Sequence, residues 1–247
     1  MELSERMERN LSLARPCKRI ADIGCDHGFV SIELIRRGIC EQVIAADVRE
    51  GPLQRAAEHI REAGLEDVIE TRLSDGFEKI LPGEVQGCII AGMGGPLMEK
   101  ILTEGMDRIR KMEFLVLQPQ SEVEEFRSFL REKGFRIERN EILCDDGKYY
   151  FAMLAVPGEK REEKPEEEEH SDFYRKLSDR YGEDLLSEDR GLGEYLLDEY
   201  ERLTNVITSL QSAEKDREKR MEEIHGLLNL IRTAQCILAS YREPGKS

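Results

Sequence analysis

Between residues 17 and 134 the chain alternates short apolar runs with longer amphipathic stretches, and nearly every run ends in glycine or aspartate. Only a layered α/β architecture satisfies that rhythm, because apolar runs this short suit strands buried on both faces, while the stretches between them carry a single apolar stripe. Arg19 to Ile23 reads as the first strand, Phe29 to Arg37 as a helix, Val43 to Asp47 as the second strand, and Pro52 to Ala63 as a helix closed by Gly64. Val68 to Leu73, Gly87 to Ala91 and Phe114 to Leu117 continue as strands, with helices over Leu97 to Arg110 and Glu122 to Lys133. A short helix marked by Leu3, Met7, Leu11 and Ala14 precedes Pro16. After Gly134, the runs Arg136 to Cys144 and Lys148 to Val156 flank Asp145-Asp146-Gly147 and predict an antiparallel hairpin that ends the sheet.

The expected fold is therefore α/β, a Rossmann-like sheet with an antiparallel final strand, with a ligand lying over the carboxyl ends of the strands. Residues 1–157 form that domain. Residues 158–170 are almost wholly charged and read as a solvated linker. Residues 171–247 carry two apolar stripes, Leu196, Tyr200, Leu203, Ile207, Leu210 and then Met221, Ile224, Leu228, Ile231, Leu238, separated by the polar stretch Gln211 to Arg220. They predict an appended α-helical hairpin, coiled-coil-like, that serves as a clamp or pairs two copies of the chain, so that the protein is a monomer or a homodimer through these helices.

Six cysteines without C-x-x-C spacing, and an amino terminus too charged for a signal peptide, fit a reduced, cytoplasmic chain with no membrane segment and no metal.

The strand ends carry the chemistry. Asp22-Ile-Gly-Cys-Asp-His-Gly28 follows the first strand, with Gly24 and Gly28 allowing close backbone approach to a ligand. A dinucleotide is disfavoured, because Asp26 would face its pyrophosphate; a sulfonium coenzyme with an ammonium tail instead turns Asp22 and Asp26 to advantage. Asp47 closes the second strand where a carboxylate can accept two ribose hydroxyls, and Asp75-Gly76 follows the third where an adenine amino group can be held. Gly92, Met93, Gly94 and Gly95 bare the backbone after the fourth strand, and Gln118-Pro119-Gln120 offers two amides to a base edge after the fifth. Each loop alone also has a plain reading as turn, cap or packing contact.

As a set, Asp22-Ile-Gly-Cys-Asp-His27, Ser74-Asp-Gly76, Ile90-Ala-Gly-Met-Gly-Gly95, Leu117-Gln-Pro-Gln120 and Asp146-Gly-Lys-Tyr-Tyr150 resemble the bacterial tRNA (adenine-22-N1)-methyltransferase family over roughly residues 3 to 156. The resemblance implies S-adenosyl-L-methionine as coenzyme, tRNA as partner and N1 of a D-arm adenine as target. Asp26 would lie near the incoming base and His27 would orient it. Where that family carries an aromatic and a proline after the Asp-His pair, Gly28-Phe29-Val30-Ser31 stands here, and Gln120 replaces an asparagine.

The net charge of −15 argues against a polyanionic partner. Screening over about 8 Å at physiological salt lets a local basic face act independently. Arg6 and Arg9 on the first helix are the leading phosphate contacts, followed by Arg15, Lys18, Arg19 and the pair Arg36-Arg37. Two other expectations stand beside this one, a methyltransferase acting on a small molecule or protein, and a non-catalytic module that keeps the fold to hold a partner.

Overall fold

The computed structural model describes residues 3–158, 168–210 and 217–242, which fall in two compact units divided between Glu163 and Lys164. In the first unit, α1 (Glu5–Leu13) leads into β1 (Cys17–Ile23), α2 (Phe29–Arg36), β2 (Cys40–Asp47), α3 (Glu50–Glu62), β3 (Ile69–Leu73), β4 (Gly87–Met93), α4 (Gly95–Glu104), α5 (Met106–Ile109), β5 (Phe114–Pro119), α6 (Val123–Glu132), β6 (Phe135–Asp145) and β7 (Lys148–Pro157). The strands form one sheet in the order β3-β2-β1-β4-β5-β7-β6. The first five are parallel, while β7 pairs antiparallel with β5 on one side and β6 on the other. The order reverses between β1 and β4, and at such a switch point the two crossovers diverge and leave a crevice above the carboxyl ends.

Alternation along the strands sends Ile20, Val43, Ala45, Ile89, Phe114 and Val116 into one core with Leu11 and Leu13 of α1, Ile32 and Leu34 of α2, and Ala56 and Ile60 of α3. Helices α4 and α6 pack on β4, β6 and each other, contribute nothing to that core, and so close the opposite face. Helix α1 is capped by Ser4, whose Oγ accepts from Met7 N at 3.4 Å. It is tied to the β6–β7 hairpin by Arg6, 3.4 Å from Asp145 and 4.6 Å from the Tyr150 ring centroid, and by Arg9, 3.3 Å from Glu141.

Two expectations need correction. The helix predicted over Leu97 to Arg110 begins at Gly95 and breaks at Gly105, where a Cβ would meet the Phe77 ring at 2.4 Å. The appendage is more than a hairpin: α7 (Glu168–Tyr181) and α8 (Glu183–Glu188) precede α9 (Leu192–Leu210) and α10 (Arg217–Arg242). Helix α7 therefore starts within the stretch expected to be linker; residues 159–167 of that stretch, and 211–216 between the two apolar stripes, lie outside the described residues. In this second unit α9 packs on α10, and α8 on both α7 and α10. Leu196, Leu203, Ile224, Leu228, Ile231 and Leu238 of the stripes are buried. Buried Glu199 accepts from Arg180 at 2.5 Å and from the Tyr181 and Tyr195 hydroxyls at 3.2 and 3.3 Å, so its charge is paired. Among the described residues no helix is long and apolar enough to cross a membrane.

Candidate active site

The loop after β1 turns through three left-handed residues, Gly24 (φ 76°), Asp26 (φ 48°) and Gly28 (φ 74°). Its backbone is held to the neighbouring strand, since Gly24 N and Cys25 N both donate to Ala46 O, at 2.7 and 3.0 Å. The positive φ calls for glycine at position 24, and the Met93 methyl, the mobile tip of a side chain from the end of β4, lies 2.2 Å from where a Cβ would stand. The ends of β1 and β4 thus meet over this glycine.

Asp22, 5% exposed, accepts from Ser31 Oγ at 2.6 Å and so ties β1 to the first turn of α2, whose N-cap Gly28 offers no side chain. Burial pushes its pKa up to about 6; Ser31 opposes the shift and the neighbouring Asp47 charge adds to it. A carboxyl whose folded pKa is raised favours the fold while protonated, and that contribution is lost as pH rises through 6. Asp22→Asn, which never ionises, is therefore expected to gain about 1–2 kcal/mol relative to the unsubstituted protein between pH 5 and 7.5, read from denaturant midpoints. A difference that stays constant across that window would show that Asp22 ionises normally.

Asp47, 4% exposed, links two loops: Oδ1 accepts from Arg49 N at 2.9 Å and Oδ2 from Asp26 N at 3.3 Å. The Asp26 side chain itself is 56% exposed, 3.6 Å from His27 Nε2. The turn after β3 is fixed by buried Ser74, whose Oγ donates to Gly76 O at 2.9 Å and accepts from Lys79 N at 3.0 Å, leaving the Asp75 carboxylate exposed. Asp75 and Gly76 also border a cavity of about 370 Å³ whose other walls are Phe77, Glu78, Ile101, Glu104 and Arg108; it opens on the α4 side and holds no other residue of the expected set.

At the ends of β4 and β5, Gly92 (φ 79°) lies against Gln120, Met93 O accepts from Gln120 N at 2.8 Å, and Pro119 pairs with Met93. Gly94 and Gly95 admit the β5–α6 turn; a Cβ on Gly95 would stand 2.8 Å from Ser121 O, so close packing accounts for that glycine. Gln118 is 2% exposed, and its Nε2 has no hydrogen-bond partner among the described residues.

The fold thus gathers Asp22, Gly24, Asp26, His27, Gly28, Asp47, Gly92, Met93, Gln118 and Gln120 at the strand ends around the switch point, with Asp75 and Gly76 at the end of β3. Arg6 and Arg9 stand apart, bound to the β6–β7 hairpin. Other expected phosphate contacts also carry acidic partners: Arg15 on Glu138, Arg19 on Glu70 and Glu84, Arg36 on Glu33, and Arg37 on Glu8 and Glu33. Two apolar residues escaped notice in the sequence. Val48 and Leu73 are 59% and 44% exposed, one directly after Asp47 and the other directly before Ser74, where they offer flat apolar contact at the crevice rim. An apolar residue within two positions of an acid at a strand's end was the available signal.

Residues 3–153 match the family model of a methyltransferase domain. Over 160 residues the chain is 31% identical to the tRNA (adenine(22)-N(1))-methyltransferase of Bacillus subtilis (strain 168), covering 65% of this chain and 67% of that one. A crystal structure of a Streptococcus pneumoniae candidate tRNA (m1A22) methyltransferase aligns over 94% of this chain and 99% of its own, with a TM-score of 0.81 at 29% identity. A second structure of that protein, in complex with S-adenosyl-L-methionine, aligns over the same shares with a TM-score of 0.75 at 27% identity.

Proposed function

Since the chain belongs to the methyltransferase-domain family and, within it, to the tRNA (adenine(22)-N1)-methyltransferases, we propose that it transfers a methyl group from S-adenosyl-L-methionine to N1 of the adenine at position 22 of tRNA. The observation that carries this reading is the convergence of Gly24, Asp26, Asp47 and Met93 from three strands on one crevice.

The residues present fit the coenzyme. Asp47 lies buried with its carboxylate directed by two backbone amides, as a diol acceptor needs, while Gly24 leaves a bare backbone and Val48 and Leu73 stand ready to cover an adenine ring. Bound there, S-adenosyl-L-methionine supplies an electrophilic methyl on a sulfonium. Adenine N1 has an in-plane lone pair at neutral pH and needs no base to expose it, so positioning carries most of the rate. The ring becomes cationic as the bond forms; Asp26 opposes that charge or takes a proton from N6, and His27 at 3.6 Å orients the carboxylate. The target base must leave its stack, at a cost of a few kcal/mol offset by contacts elsewhere on the tRNA. Gln118 and Gln120 read its edge; the unpartnered Gln118 Nε2 is the donor this role requires.

Labelled coenzyme incubated with tRNA is expected to place label in the RNA and to create a reverse-transcription stop at a single D-arm adenine, because a methyl on N1 blocks Watson-Crick pairing. Label in protein or small molecules with none in tRNA would sink the reading. Label in tRNA without a stop would point to N6 and overturn the mechanism while leaving the fold untouched.

A further inference from the structure

Three rings lie together beside the first loop. His27, Phe29 and His59 have centroids 5.6 Å (27–29), 4.7 Å (29–59) and 5.8 Å (27–59) apart, with planes inclined by 9°, 23° and 29°. They come from the loop, the first turn of α2 and the third turn of α3, and a hydrogen bond from His59 Nδ1 to His27 O, 2.9 Å long, locks the helix to the loop. None of the three is fully buried. The Phe29 and His59 rings have no part in the methyl-transfer chemistry above, where His27 alone acts, on the Asp26 carboxylate, and none of the three belongs to the buried core on this face, which holds Ala56 and Ile60.

One helical turn before His59 stands Arg55, exposed and without an ion-pair partner among the described residues. That sets it apart from Arg19, Arg37 and Arg72 of the same unit, each held by glutamates. A partly wet stack of rings with an unengaged guanidinium one helical turn away on α3 has the two parts used to hold an unpaired nucleotide, an outer ring face for the base and a cation for the phosphate. The surface adjoins Asp26, whose carboxylate is 3.6 Å from the His27 ring.

We propose that His27, Phe29 and His59 form a stacking platform for the tRNA base next to the target adenine, with Arg55 binding its phosphate. The proposal rests on the tRNA reading above. Extruding the target leaves its neighbour without one stacking partner, and the platform supplies a replacement within one nucleotide of the acid. Since every base has a π face, the platform tolerates any base there.

The test uses the full-length protein and tRNA transcripts carrying an abasic nucleotide on the 5′ or the 3′ side of the target. For the unsubstituted protein, one of the two transcripts is expected to raise KM roughly 10- to 100-fold, the range of one base–aromatic stack, with little change in kcat. Phe29→Leu should raise KM on intact tRNA by a similar factor and be indifferent to that same abasic site, while its affinity for S-adenosylhomocysteine is unchanged. Arg55→Ala, a surface change that leaves the rings in place, should raise KM and flatten the slope of log KM against log salt by about one. Abasic transcripts methylated like intact tRNA, or losses from Phe29→Leu and the abasic site that multiply, would overturn the platform. Absence of methylation on intact tRNA would instead remove the functional reading, and the platform with it.

Discussion

Asp26→Asn is expected to bind S-adenosylhomocysteine as the unsubstituted protein does, yet to transfer the methyl group to tRNA roughly 100-fold more slowly, the scale on which a single preorganised charge or donor acts on a developing ion. The substitution is clean for a structural reason. Asp26 holds a left-handed backbone at φ 48°, a conformation that asparagine tolerates as well as aspartate does. Its amide, which donates to Asp47, is untouched, and its side chain projects from the loop with 56% exposure. What disappears is the negative charge, which matters only once the adenine becomes cationic, so the loss belongs in kcat and not in KM. Single-turnover rates with coenzyme product affinity measured alongside separate the two; an unchanged rate would remove Asp26 from the chemistry, and a joint loss of binding would make it part of the coenzyme site.

Asp47→Ala should weaken coenzyme binding by roughly 10- to 100-fold, which corresponds to losing charge-assisted bonds worth about 1.5–3 kcal/mol. The structure adds a second consequence. The amides of Asp26 and Arg49 lose their acceptor, so the loops after β1 and β2 loosen together, and part of the loss is entropic. Asp47→Asn, which keeps one carbonyl oxygen for one amide, should fall between the two proteins. Removing the charge also relieves Asp22, whose raised pKa owes part of its shift to Asp47, so the pH at which Asp22 affects stability should move down. Calorimetry of coenzyme product with the three proteins decides it; equal affinities in folded variants would show that Asp47 holds loops and no ligand.

The strand ends were legible in the sequence because each apolar run is stopped by a residue with its own conformational demand, Gly24, Asp47, Ser74-Asp75-Gly76 or Gly92, and a parallel sheet places all such stops on one edge. The break in the fourth helix was not, since Gly105 is explained by the Phe77 ring, 28 residues away in sequence and invisible to any local pattern. Helices α7 and α8 escaped for another reason. Their buried residues, Leu177, Tyr181, Leu185 and Leu186, are too few and too interrupted by Gly182 to build a stripe. The arginines were the hardest to place. A sequence shows that Arg9 is basic and on a helix, but its partner Glu141 is 132 residues away, and only the fold shows that Arg9 fastens α1 while Arg55 stays unengaged. The same holds for Asp22, whose bond from the Ser31 hydroxyl, a tie between strand and helix, shows only in the fold.

The placement of β7 bears on how the chain is made. Strand β7 is the last of the sheet to leave the ribosome, yet it sits between β5 and β6. Until residue 157 has emerged, β5, whose six residues are all buried in the finished sheet, presents an open apolar edge, and β6 has no strand to pair with. Five strands can assemble during synthesis, but the sheet closes only when the hairpin folds back and β7 slides into the gap, a pairing that spans about forty residues of sequence and is correspondingly slow. Nascent chains stalled short of β7 are therefore the species most exposed to edge-to-edge aggregation, and the ones a chaperone would have to shield.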